Sequence, residues 1–324
     1  MKKVSRRDFV KASSALAAAA PALAAVTAGA QPPGGPQPPP DIGKLRAEKD
    51  IVFGKGGDID LLLDVYRPPE GVTSKRLAII HLFGGGFFVG NKNAGYIIND
   101  AKALGNRGYT SISANYRLQS QGKWPAQIHD VKAAIRWTRA NAAKLGVDAD
   151  KIVIAGYSAG GMLSLLAAGT SGKAELEGTG GTPGVSSDVN ASIGVYPLAS
   201  AETARGLFPD GQATPENIAA ASPTSYISAK FAPTIFVHGT ADKTVPLASS
   251  LDFFNKLNAA GVPTALTAIQ GAAHAFDVAA LDAVETMAQS IDLFLDRLLV
   301  NPKPYPAFGP PGGARPGGGG RPPG

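Results

Sequence analysis

The 324-residue chain contains no cysteine, and that absence removes several chemistries at once. Disulfides, thiolate metal sites and lipid attachment at a cysteine are unavailable. Histidine is scarce at four residues, so an imidazole base can be sought by elimination. The basic excess of +6 belongs to the ends. Residues 1–30 hold five Lys/Arg against one Asp, and the tail from 301 holds Lys303, Arg315 and Arg321 with no acid, which leaves residues 31–300 at −1. A nucleic-acid surface is therefore not implied. No repeat has a solenoid period.

The N-terminus carries an address. Lys2, Lys3, Arg6, Arg7 and Lys11 precede an alanine-rich stretch over 12–30, and Ala28-Gly29-Ala30 has the small-x-small pattern of a cleavage site. Ser5-Arg6-Arg7-Asp8-Phe9-Val10-Lys11 resembles the twin-arginine export signal. The alanine run is broken by Pro21 and is too weakly apolar for a stable membrane span. The expectation is a cleavable signal over 1–30, export by the twin-arginine machinery, and a periplasmic or secreted mature chain without a stable span. An uncleaved N-terminal anchor is the other reading. Residues 31–50 read as a Pro/Gly-rich linker, 51–300 as one catalytic domain and 301–324 as a disordered Pro/Gly-rich basic tail.

Within 51–300, strand-like apolar runs recur at 59–66, 77–83, 109–115, 151–155, 191–196, 234–238 and 264–269. Helical periodicity lies between several of them, most clearly over 125–145 and 279–299. This alternation predicts an α/β class with a mostly parallel central sheet flanked by helices.

Four motifs fall where a strand has just ended. Gly156-Tyr157-Ser158-Ala159-Gly160 stands between the run at 151–155 and a helical stretch, which describes a nucleophile elbow. A G-x-S-x-G match alone is weak, since roughly 0.3 would arise by chance in so glycine-rich a chain; the strand, turn and helix around it carry the signal. Asp242 follows the strand at 234–238. His274 follows the strand at 264–269 in a loop of small residues, whereas His81 lies inside a strand, His129 starts a helix and His238 precedes the acid turn. A serine hydroxyl becomes a nucleophile when a histidine takes its proton and a carboxylate fixes that histidine's tautomer, so Ser158, Asp242 and His274 are the candidate triad. Gly84-Gly85-Gly86 after the run at 77–83 offers unobstructed amides, and Gly85, Gly86 and Ala159 are the candidate oxyanion donors. No cofactor or metal is required, and no metal-ligand cluster is apparent.

These residues resemble the α/β-hydrolase esterases of the hormone-sensitive-lipase and bacterial feruloyl/acetyl-esterase type. The resemblance rests on Phe83 to Phe87, Asn115-Tyr116-Arg117, Pro125 with Asp130, Ser158 to Gly161, and Gly239 with Asp242, Val245 and Pro246, and runs from about 51 to 299. It implies an α/β-hydrolase fold, a covalent acyl-enzyme on Ser158, and activity that falls on acidification as the base protonates. Two residues depart from the pattern: Phe83 stands where the family has a loop histidine, and Asn115 where it has aspartate. Lipase-type members also place tens of residues of helix before the first strand, and only residues 41–50 do so here, which implies a small or absent cap and an open site. Phe87, Phe88, Trp124 and Phe276 adjoin the catalytic loops and are candidate pocket residues. The expected substrate is a small-molecule or carbohydrate ester, short-chain or acetyl/feruloyl. A prolyl-oligopeptidase-like peptidase and a non-catalytic binding module on the same fold are the alternatives.

Overall fold

A computed structural model describes residues 41–204, 206–209 and 211–304. The stretch read as an export signal, the first ten residues of the linker and the tail from 305 lie outside these described residues.

Eight strands form one sheet: β1 (Arg46–Gly56), β2 (Ile59–Arg67), β3 (Ala78–Leu82), β4 (Thr110–Ala114), β5 (Ile152–Tyr157), β6 (Ala191–Val195), β7 (Thr234–Gly239) and β8 (Thr264–Ile269). Their spatial order is β1-β2-β4-β3-β5-β6-β7-β8. The β1–β2 and β2–β4 pairs are antiparallel and all others parallel. Every residue of β3, β4, β5 and β6 is buried. Runs such as Ile152-Val153-Ile154-Ala155 are apolar without alternation because a parallel strand here is covered on both faces.

The principal helices are α1 (Gly95–Gly105), α2 (Ala126–Ala140), α3 (Ala159–Gly169), α4 (Leu247–Ala259) and α5 (Leu281–Leu295). Helix α1 packs against α5, α2 against α3, and α4 against β7 and β8. Helix α3 is buried along nearly its whole length, and its Ala-Gly-Gly-Met-Leu-Ser-Leu-Leu-Ala-Ala sequence is apolar all round for that reason.

The folded part begins earlier than the sequence reading placed it. β1 starts at Arg46, inside the stretch assigned to linker, and Leu45 before it is already buried. The strand escapes a hydrophobic reading because it is a sheet edge: Arg46, Glu48, Lys49, Asp50 and Lys55 alternate with few apolar residues, and charge on an edge discourages pairing with another chain. Its order comes from the β2 ladder and from ion pairs such as Arg67 with Glu48, 2.6 Å apart.

Topology places the site. The chain passes from β3 outward to β4, then back across β3 to β5, so the loops after β3 and β5 open into one crevice at the reversal point. Leu82 pairs with Gly156 across β3 and β5, which sets Gly84 beside Ser158 two residues further on.

Candidate active site

Ser158 sits between β5 and α3 with φ 53° and ψ −114°, a conformation that L residues rarely occupy. Such strain is on the order of 1–3 kcal/mol and persists only where the surroundings enforce it. Close packing does so here: a Cβ on Gly160 would lie 2.2 Å from the Leu82 carbonyl oxygen, so only glycine lets α3 begin this near the end of β3. Of the six non-glycine residues with positive φ among the described residues, four (Phe87, Ser158, Tyr196 and Ala275) lie on the loops around this serine, so backbone strain is concentrated where the candidate chemistry is.

The structure brings Ser158, His274 and Asp242 together across 116 and 32 positions of sequence. His274 Nδ1 lies 2.7 Å from Asp242 Oδ2, and His274 Nε2 lies 3.0 Å from Ser158 Oγ. An ionised carboxylate only accepts, so Nδ1 carries the proton and donates it to Asp242, while Nε2 accepts from the serine hydroxyl. Asp242 is otherwise well supplied. Its Oδ1 accepts from the amides of Thr244 and Val245, each at 2.8 Å. His238 Nε2 stands 2.8 Å from the Val245 carbonyl and 3.3 Å from Asp242 Oδ2, two acceptors, so it too carries a proton. Burial pushes the Asp242 carboxyl up, but hydrogen bonds from His238, His274 and the Val245 amide outweigh it and hold the group well below the usual carboxylate range.

The glycine loop faces this arrangement. Gly84 N–H donates to Tyr96 Oη at 2.8 Å and is thereby engaged. Among the described residues the amides of Gly85, Gly86 and Ala159 donate to no other group of the chain, which leaves them to a ligand. The two departures from the family pattern have physical replacements. Phe83 stacks on Tyr116 with ring centroids 4.2 Å apart and planes 8° apart, and Tyr116 Oη donates to the Phe83 carbonyl at 2.8 Å. An aromatic stack thus braces the loop that a histidine would otherwise tie. Asn115 Oδ1 accepts from Lys92 N at 2.7 Å at the far end of the same loop, a bond an amide oxygen makes as well as a carboxylate does. Arg117 grips Asp130 through Nε and Nη2 at 2.8 and 2.7 Å, fastening the segment after β4 to α2.

The remaining histidines are engaged elsewhere. His81 is fully buried between Tyr157 Oη and Ser111 Oγ, and burial pushes its imidazole down to about 3. His129 contacts the Glu175 carbonyl. Of the candidate pocket residues, Phe87 belongs to the core: it is fully buried, edge-on to Tyr116, and lines nothing accessible. Phe88 is 47% exposed on the glycine loop. Trp124 and Phe276 are mostly buried, edge-on to Phe208 and Tyr196. Between β6 and β7 the described residues carry short helices at Ala201–Thr203, Pro215–Ala221 and Pro223–Tyr226. Gly206 there abuts the glycine loop so closely that a Cβ would meet the Gly86 carbonyl oxygen at 2.0 Å.

Three supporting residues carry no reading in the sequence. Tyr96, which engages the Gly84 amide, bears no sequence signal. His238, which the sequence places before the acid turn, is a structural imidazole with both ring nitrogens engaged, at Ser250 Oγ and the Val245 carbonyl. Tyr196 follows β6 and lies 4.7 Å from the His274 ring, centroid to centroid; Asp277, three positions after His274, accepts from Tyr196 Oη at 2.6 Å.

Comparison with known proteins agrees with this architecture. The BD-FAE family profile matches residues 63–257. Esterase LipQ of Mycobacterium tuberculosis (strain ATCC 25618 / H37Rv) is 33% identical over 263 residues, which cover 76% of this chain but only 61% of LipQ. An esterase from the planctomycete Thermogutta terrifontis, solved with propionate bound, superposes with a TM-score of 0.68 at 31% identity over 82% of this chain and 99% of its own. A truncated carbohydrate esterase from gut microbiota superposes with a TM-score of 0.67 at 26% identity over 80% and 99%. The chain belongs to the BD-FAE family, a hormone-sensitive-lipase-like family of α/β-hydrolase esterases.

Proposed function

We propose that the protein is a carboxylic ester hydrolase in which Ser158 is the nucleophile, His274 the general base and Asp242 the carboxylate that orients it. The observation that carries this reading is the unbroken relay from Asp242 Oδ2 to His274 Nδ1 and from His274 Nε2 to Ser158 Oγ. As Ser158 Oγ bonds to the ester carbonyl carbon, its proton passes to His274 Nε2. The carbonyl oxygen becomes an oxyanion that the amides of Gly85, Gly86 and Ala159 receive. Collapse breaks the bond to the alcohol, which leaves with the proton from Nε2; water then repeats the sequence on the acyl-enzyme.

The substrate class is a short-chain or carbohydrate acetyl or feruloyl ester. Two neighbours support it: the Thermogutta esterase was solved with propionate, and another is named a carbohydrate esterase. The exposed Phe88 ring on the oxyanion loop offers a face for an aryl or sugar group. The mature protein is expected to hydrolyse p-nitrophenyl acetate and butyrate, and Ser158→Ala to lose at least about 10⁴-fold of that turnover. Equal turnover by the two proteins would remove Ser158 from the chemistry.

Export by the twin-arginine route belongs to the same proposal and rests on Arg6 and Arg7 ahead of the alanine-rich stretch. Replacing both by lysine is expected to retain the precursor in the cytoplasm. Undiminished export, followed by cell fractionation, would exclude that route.

A further inference from the structure

Behind the base lies a buried polar cluster that the relay does not use. Asp277 is fully buried on the short helical turn Phe276–Val278, and its Oδ1 accepts from Tyr196 Oη at 2.6 Å. Tyr196 presents its ring to the His274 imidazole, 4.7 Å away and tilted by 58°, and Phe276 packs edge-on against the same ring. Tyr196 itself is held at φ 36°, so its placement is enforced rather than relaxed.

The groups facing Asp277 can be named element by element. Helix α1 contributes Asp100 and Tyr96, β5 ends in Tyr157, β6 is followed by Tyr196, and the loop of Asp277 brings His274. His81 on β3 reaches the cluster only through Tyr157 Oη, at 3.0 Å. Helix α5, which packs against the same turn, buries only apolar side chains there, Ala283, Val284 and Met287 among them. No lysine or arginine belongs to this set among the described residues.

A buried carboxyl beside a second carboxyl, with Oδ2 lacking a partner among the described residues, opposes folding when it ionises. Asparagine would still accept from the Tyr196 hydroxyl, through a neutral bond and without the cost of a buried charge. A charge here has a use at the His274 imidazole, which interacts with this carboxyl electrostatically and becomes positive during acyl transfer.

We infer that Asp277 is a positioning residue for the same reaction, a second carboxylate that fixes Tyr196 against His274 and stabilises the imidazolium formed when Ser158 is deprotonated. This rests on the reading of Ser158, His274 and Asp242 as the catalytic relay. Burial, opposed by the Tyr196 bond and by the nearness of His274, sets the Asp277 carboxyl at about 6, so the charge is present on the alkaline side of that value.

The test is the pH dependence of kcat/KM on p-nitrophenyl butyrate for wild type, Asp277→Asn, Tyr196→Phe and the double variant, with active serines counted by an organophosphate. Asp277→Asn keeps the hydrogen-bond acceptor and removes the charge. Its acid limb is expected to move to lower pH by roughly half a unit or more, with the plateau kcat reduced roughly two- to tenfold. Tyr196→Phe should move the limb the same way, because losing the phenol leaves the carboxyl neutral over more of the range, and the double variant should add little to Asp277→Asn. An acid limb unchanged in Asp277→Asn, with any loss uniform across pH, overturns the inference and leaves Asp277 a packing residue. Should that variant fail to fold, an unmoved limb in Tyr196→Phe overturns it equally. Wild type that reacts with neither ester nor organophosphate would instead sink the esterase reading, so the two failures are distinguishable.

Discussion

Asp242 and Asp277 are both buried acids beside His274, and the fold surrounds them differently. Asp242 accepts from the amides of Thr244 and Val245 at one oxygen and from His274 and His238 at the other. Asp277 has the Tyr196 hydroxyl at Oδ1, no partner at Oδ2 among the described residues, and Asp100 as a neighbour. Burial pushes both carboxyls up, yet the first ends well below the ordinary range and the second at about 6. What decides a buried acid's charge is the number of donors the backbone and neighbours supply, and burial alone does not predict it. Asp242 gains two of its donors from a tight turn, Gly239 to Val245, which holds amides in place before any side chain is considered. Among the described residues the backbone support of Asp277 comes from its own amide.

The sharpest way to break this comparison is the same isosteric change at both acids. Asp242→Asn keeps its oxygen on the Thr244 and Val245 amides and turns an NH2 toward His274 Nδ1, which forces the other imidazole tautomer, and a loss on the order of 10³–10⁴-fold in kcat is expected on p-nitrophenyl butyrate. Asp277→Asn, which leaves the tautomer fixed, is expected to cost no more than roughly tenfold. Losses of equal size would show that the two acids share one role and that the donor count around them is irrelevant to function.

Much of this site was legible in the sequence because its parts are local. A strand running into Gly156-Tyr157-Ser158-Ala159-Gly160 and then a helix specifies its own turn, and a glycine loop after a buried strand advertises free amides. The parallel sheet was legible for the same reason: β3 to β8 appear as apolar runs separated by helical periodicity. What stayed hidden depends on partners distant in sequence. β1 is charged and owes its strand state to the β2 ladder. Phe87 carries the same aromatic signal as Phe88 one position on, and only the loop's turn decides that one ring enters the core beside Tyr116 while the other faces solvent. Tyr96 and Tyr196 act on Gly84 and His274 from a helix and a strand end whose sequences announce no chemistry.

The smallest effect tests the charge state of Asp277 without any substrate. Its carboxyl sits at about 6 in the fold and near the ordinary 3.9 in the unfolded chain, so between these values the folded state binds more protons than the unfolded. Stability from this group therefore falls as pH rises through about 4 to 6, and its unfavourable contribution is fully present above that window. Asp277→Asn removes the contribution. The melting temperature of the variant relative to wild type should become more favourable from pH 4 to pH 8, by an amount corresponding to about 1–3 kcal/mol, or a few degrees for a domain of this size. Taking the difference between variant and wild type cancels the opposite slope from His81, whose depressed imidazole makes stability rise over much the same range. A difference that stays constant from pH 4 to pH 8 would mean that Asp277 ionises in the fold as it does in the unfolded chain, and that the contrast with Asp242 does not exist.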